Sequence, residues 1–160
     1  MLASEIDTPF PLDKILDEHL DGAEIGADLE EVSPFSGGFV LYGDAEPILL
    51  PSCCGDLGNI DEWKKAAAQR TDSPEMLWVG HPWYSTWFAD GRLHIREEHE
   101  YPGPRAPRTV RVAPTLLEAA ISDANREIDQ LVDRLLSLLR TGPRSALASE
   151  IAQVLVGRRQ

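Results

Sequence analysis

The two cysteines of the 160-residue chain are adjacent, at Cys53 and Cys54, and with His81 they are the residues best suited to chemistry. Two thiolates and an imidazole are ligand types that zinc prefers in proteins. Zinc-binding cysteines are usually separated by two to four residues, however, and adjacent side chains on an extended chain point to opposite faces. The spacing therefore favours two small thiols buried at a strand end. A metal-binding protein and a hydrolase-like enzyme, with a thiol nucleophile and His81 as its base, are the alternatives.

A second group of candidates surrounds the segment GHPWYSTWF, residues 80–88, which concentrates aromatic side chains. Tryptophan and tyrosine are common at binding hot spots because they bury a large area with few rotatable bonds. They also form the cores of small domains. The candidate binding residues are Trp83, Tyr84, Trp87, His94 and Arg96. A small-molecule site formed by the aromatic residues from Trp78 to Phe88 is an alternative to a protein-binding surface.

The segment YSTWFADGRLHIREEH predicts a β-hairpin, because the Asp-Gly pair at 90–91 suits a two-residue type I′ turn. Pairing outward from this turn sets Thr86 beside Ile95 on one face and Trp87 beside His94 on the other. The first face is apolar enough for a core. The second combines aromatic and polar groups, which makes it the better candidate for a binding surface.

No segment predicts a cofactor. SGGFVLYG, residues 36–43, lacks both the GxGxxG and the GxxxxGK[ST] spacings that bind phosphate. His94 and His99 fall on opposite faces of one strand because their separation is odd, so they do not predict a metal cluster. We therefore expect no cofactor, and no catalytic residue is assigned.

The formal charge of −12 is confined to one end of the chain. Residues 1–58 hold 13 acidic side chains and one base, Lys14, whereas residues 59–160 hold 14 acids and 14 bases. An acidic field repels nucleic-acid phosphate and attracts basic proteins. The distribution predicts a basic protein partner and no nucleic acid, as for an inhibitor or a bacterial immunity-type protein. The alternative is an acidic surface that only keeps the protein soluble.

Composition indicates a globular protein, with 42% hydrophobic and 26% charged residues. The chain has no basic start followed by an apolar stretch and no apolar run of about 18 residues, so we expect neither secretion nor membrane binding. Two cysteines are too few for a disulfide framework. These features together predict a cytoplasmic protein.

The remaining pattern predicts the elements that position the candidates. Helical spacing is found in residues 11–20, 59–70, 115–141 and 145–156. Strand patterns are found in residues 37–43, 48–51, 76–81, 84–99 and 108–112, the first two forming a hairpin. Asn59 followed by Glu62 predicts a capping box at the start of the second helix. The sequence thus predicts one α+β domain over residues 1–160, with an antiparallel sheet of about five strands packed with helices and ending in an αα-hairpin.

The long C-terminal helix carries an apolar stripe from Leu117 to Leu138 with heptad-like spacing. Val132 and Leu139 widen this stripe beyond the two positions per heptad of a coiled-coil seam. We therefore expect the helix to pack into a core. A dimerising coil is the alternative, so the sequence allows a monomer or a homodimer.

Overall fold

A computed structural model describes residues 11–21, 29, 31–43, 46–51, 53–98 and 106–158. Within these residues the helices are α1 (Leu12–His19), α2 (Ile60–Ala68), α3 (Pro114–Leu139) and α4 (Ala148–Leu155). The strands are β1 (Leu41–Gly43), β2 (Glu46–Leu49), β3 (Glu75–Leu77), β4 (Trp83–Ala89), β5 (Arg92–Glu98) and β6 (Thr109–Val112). The fold class is α+β, which confirms the prediction, and the C-terminal pair of helices is present as α3 and α4.

The strands form two antiparallel sheets. One is the predicted hairpin of β1 and β2, and the other has four strands in the order β3-β4-β5-β6. The chain divides into two compact units. The first comprises residues 1–35 and 125–160, and the second, which contains both sheets and α2, comprises residues 36–124. The candidate residues of the sequence analysis that the structure describes therefore all belong to the second unit, whereas His99 lies outside the described residues.

The β4–β5 hairpin has the predicted register. Thr86 pairs with Ile95 and Trp87 pairs with His94, on either side of a turn in which Gly91 has a φ of 73°. Positive φ at this position is what a type I′ turn requires, and glycine adopts it without steric cost. Thr86 and Ile95 are buried on the inner face of the sheet, as the alternation of side chains predicts.

α2 begins where predicted, directly after Asn59, but its capping box differs from the prediction. The capping box is formed one turn earlier, by Asp56 and Asn59, around a 3-10 turn at Leu57–Asn59. The Asp56 carboxylate accepts a hydrogen bond from the Gly58 backbone N–H at 2.7 Å, and the Asn59 side chain accepts one from the Asp56 N–H at 2.8 Å. Asn59 does occupy the predicted N-cap position of α2, but its side chain makes no cap hydrogen bond there and is instead the reciprocal partner of Asp56, so the predicted box with Glu62 is wrong.

The end of α2 is joined to the sheet by a buried polar network. The Gln69 side-chain amide donates to the carbonyl oxygens of Ser73, at 3.0 Å, and Thr86, at 3.1 Å. Its oxygen accepts a hydrogen bond from the Thr86 hydroxyl at 2.6 Å. A buried amide must be paired in this way to offset its lost hydration. The network fixes β4, the strand that carries most of the candidate aromatic residues, against the end of α2.

The first unit is helical. α1 buries Leu12 and Leu16, and Leu20 is buried directly after the helix. The α3 stripe is largely buried, including Leu135 and Leu139, which confirms that it packs into a core. The Phe35 N–H donates to the Leu155 carbonyl oxygen at 2.8 Å, so α4 is tied to the segment that follows α1. In the described part of the chain, no helix combines the length and apolar character needed to cross a membrane.

Candidate functional site

Cys53, Cys54 and His81 meet at one corner of the second unit, here called the cysteine corner. Their ligand atoms all lie within 4.8 Å of one another. The Cys53 Sγ is 3.5 Å from the His81 Nδ1, close enough for a thiol–imidazole hydrogen bond. Both cysteine side chains are exposed, so the prediction that they are buried is wrong.

Backbone conformation explains why the adjacent thiols converge. Cys54 has a φ of 62°, so the chain is not extended here, and the rule that neighbouring side chains point to opposite faces does not apply. Cys53 also forms an isolated antiparallel bridge with His81, and the His81 N–H donates to the Cys53 carbonyl oxygen at 3.1 Å. This bridge brings together residues that are 28 positions apart in the sequence.

Gly80 allows the close approach of the two segments. It has a φ of 108°, a conformation that other residues rarely adopt, and a Cβ at this position would overlap the Cys53 carbonyl oxygen. Gly55 is similarly confined, because its Cβ would lie 2.6 Å from the Gly37 carbonyl oxygen. The corner is therefore held by tightly packed backbone on both sides of the cysteine pair.

The pKa of the Cys54 thiol is altered by its neighbour. A hydrogen bond with Cys53 and the charge of the Cys53 thiolate raise the pKa of Cys54, with a smaller contribution from burial. A negative sulfur at Cys53 accepts a hydrogen bond from the protonated Cys54 thiol and repels the Cys54 thiolate, and both effects favour the protonated form of Cys54.

An aromatic group borders the corner. The His81 ring centroid is 5.4 Å from that of Trp83, and the Trp83 ring is 6.0 Å from that of Trp78. Trp78 keeps 47% of its surface exposed. The corner thus adjoins an accessible aromatic surface.

Further aromatic and polar side chains lie with it on one side of the four-stranded sheet, here called the outer face: Met76, Trp78, Trp83, Trp87, His94 and Arg96. Among them His94 is buried, and Trp83 and Trp87 are half-buried. The Trp87 ring stacks on His94 with centroids 5.0 Å apart, and the Arg96 guanidinium lies 5.7 Å from the Trp87 centroid. Arg96 also donates to the Glu98 carboxylate at 2.7 Å. These contacts hold the long arginine side chain against the aromatic rings.

Four of the five predicted binding residues share the outer face, and Tyr84 does not. Tyr84 lies on the inner face and is 2% exposed, and its pKa is raised by burial and by the nearby charge of Glu97. The sequence analysis missed Met76, which is 58% exposed, as an outer-face residue. The available signal was the alternation of Met76 and Trp78 with the buried Leu77.

Comparison of the chain with protein-family models, with curated proteins and with solved structures found no match. Its function is therefore argued from the geometry of the outer face and the cysteine corner.

Proposed function

We propose that this chain is an interaction protein that binds a basic protein partner, with the outer face as its contact surface. The observation that carries the proposal is the pair of large apolar side chains at its edge, Met76 and Trp78, which are 58% and 47% exposed. An accessible apolar patch rimmed by polar groups is typical of a protein-binding site.

The composition of the outer face supports the same function. Tryptophan and arginine are the residue types most enriched among binding hot spots, and methionine adapts to irregular partner surfaces. The stacking of Trp87 on His94, with Arg96 above it, arranges these side chains before a partner arrives. Prior arrangement lowers the entropy lost on binding, so less of the contact energy is spent on ordering the surface.

The charge of the chain supports a basic partner. α1 and the residue pair after it expose Asp13, Asp17, Glu18 and Asp21, as part of the acidic excess in residues 1–58. Such a field raises the rate at which oppositely charged proteins meet, and it does so without direct contact between the charges and the partner. Screening by salt then lowers this rate, because the Debye length falls from about 10 Å at 0.1 M salt to about 3 Å at 1 M.

The proposal is tested by affinity capture from an extract of the cells that make the protein. Three immobilised proteins are compared: wild type, the Met76→Ser/Trp78→Ser variant, and the control Leu116→Ser. Leu116 is also a large exposed apolar residue of the second unit, 69% exposed, but it lies on α3 and not on the outer face.

We expect wild type and Leu116→Ser to retain the same basic protein, and the double variant to lose it. Retention of the partner is expected to decrease as the salt concentration is raised. With the purified partner, the variant Asp13→Asn/Asp17→Asn is expected to associate more slowly than wild type. Identical retention by all three immobilised proteins would refute the assignment of the outer face. If the retained protein is acidic, the proposal that the acidic charge of this chain attracts a basic partner is refuted.

A further inference from the structure

We propose that Cys53, Cys54 and His81 form a binding site for a thiophilic divalent metal ion of the zinc type. This site is separate from protein binding at the outer face, because neither cysteine nor His81 belongs to that face.

The spacing of the donor atoms fits such an ion. Zn–S bonds of about 2.3 Å and a Zn–N bond of about 2.05 Å in a tetrahedral site place sulfur and nitrogen roughly 3.6 Å apart and the two sulfurs roughly 3.8 Å apart. The Cys53 Sγ and His81 Nδ1 are 3.5 Å apart, and all three donor atoms lie within 4.8 Å. The cysteine corner therefore needs little rearrangement to bind a single ion.

The donor set selects the class of metal. Thiolates with an imidazole favour zinc and related soft or borderline ions, whereas magnesium and calcium require oxygen ligands. Both thiols are exposed, so an ion can reach them from solvent. Among the residues that the structure describes, no further histidine, cysteine or carboxylate completes the group. Three protein ligands leave a fourth position for water or an external ligand, as in open zinc sites and unlike closed structural ones.

The backbone holds the ligands in place before metal binds. The positive φ of Cys54 turns its sulfur towards Cys53, and the hydrogen bond from the His81 N–H to the Cys53 carbonyl oxygen links the two segments. The adjoining Trp83 ring limits the positions open to the imidazole. A ligand set that is already ordered binds metal with a smaller entropic cost than one on a mobile loop.

A simpler account of the same distances is a thiol–imidazole hydrogen bond with no role for metal. The two accounts differ for Cys54: a metal site needs its sulfur as a ligand, whereas a Cys53–His81 hydrogen bond does not. They also differ in proton release, because metal binding displaces protons from the thiols and a hydrogen bond does not.

Cobalt(II) distinguishes them, because thiolate coordination to cobalt gives charge-transfer absorption and a four-coordinate site gives intense visible bands. The reduced full-length protein is titrated with Co²⁺ and then with Zn²⁺, in parallel with Cys53→Ser, Cys54→Ser and His81→Asn. The matched control is His19→Gln, which removes an imidazole from the first unit, and circular dichroism checks that each variant is folded.

We expect one Co²⁺ per chain, displacement by Zn²⁺, and release of protons on binding. Both cysteine variants are expected to lose at least half of the charge-transfer absorption, and His81→Asn to weaken binding at least tenfold, while His19→Gln binds as wild type. No saturable cobalt spectrum in the wild type, or the same spectrum in folded Cys54→Ser, would overturn the proposal. The affinity capture tests residues of the outer face, which are not ligands of this site. Failure of the cobalt titration therefore does not count against the proposed protein binding, and failure of the capture does not count against the metal site.

Discussion

The substitution Gly80→Ala tests whether close backbone packing builds the cysteine corner. The new methyl group would overlap the Cys53 carbonyl oxygen, which accepts the hydrogen bond from His81. Because the obstructing atom belongs to the backbone, it cannot swing away as the end of a side chain can. The substitution must therefore separate the Cys53 and His81 segments, and with them the Sγ and Nδ1 atoms that are 3.5 Å apart.

The size of the effect follows from comparison with Gly91→Ala. Gly91 also has a positive φ, 73°, but a Cβ there meets nothing within 4 Å. Gly91→Ala therefore costs only about 1 kcal/mol, for its conformation, whereas Gly80→Ala costs about 1–3 kcal/mol for backbone strain and about 1 kcal/mol for the lost hydrogen bond. We expect Gly80→Ala to destabilise the protein by about 1–3 kcal/mol more than Gly91→Ala.

Urea unfolding of the metal-free variants measures this difference, and cobalt titration measures its effect on the corner. We expect Gly80→Ala to bind Co²⁺ at least tenfold more weakly than wild type, and Gly91→Ala to bind it as wild type. Equal stability of the two glycine variants would refute the packing argument. Unchanged cobalt binding by a folded Gly80→Ala protein would show that the ligand geometry does not depend on this contact.

Three further predictions concern buried and titrating groups. Gln69→Leu is expected to cost about 1–3 kcal/mol, because it removes the Gln69 partner of the buried Thr86 hydroxyl and carbonyl oxygen and leaves the hydroxyl its longer bond to the Glu75 carbonyl oxygen at 3.5 Å. Adding Thr86→Val should recover part of that cost in a urea double-mutant cycle, and strictly additive effects would contradict the network. The raised pKa of Cys54 predicts that Cys53→Ala shifts alkylation of Cys54, measured by peptide mass spectrometry, to lower pH; an unchanged profile would contradict this. The raised pKa of Tyr84 predicts that stability is constant below the unfolded tyrosine pKa of about 10 and falls as pH rises above it, because the unfolded chain releases the proton first. Tyr84→Phe should reduce this alkaline loss, and equal slopes in alkaline urea titrations would refute the assignment.

The register of the outer face was predictable because it depends on local rules. The Asp-Gly turn at residues 90–91 fixes which residues of β4 and β5 pair, and alternation then assigns Trp87 and His94 to one face. The same alternation separates Tyr84 from them, so its burial follows from the pattern once the inner face is known. Met76 and Trp78 join the face because β3 pairs with β4.

The sequence offered the cysteine corner only as an alternative to two buried thiols, for two physical reasons. The parity argument assumed an extended chain at Cys53 and Cys54, and the positive φ of Cys54 removes that assumption. The third side chain, His81, comes from a segment 28 residues away, and its approach depends on a glycine at position 80 that a local pattern does not connect to Cys53. The capping box before α2 was misplaced for a related reason, because Asp56 and Asn59 are both good caps and only the hydrogen bonds decide between them.

The most direct test of the central claim, that the outer face binds a protein partner, is site-specific photo-crosslinking in living cells. A photoreactive phenylalanine analogue is placed at position 76 or, as the control, at position 116. The account predicts one discrete adduct with a basic protein from position 76 and none from position 116. No adduct from position 76, or the same adducts from both positions, would contradict it.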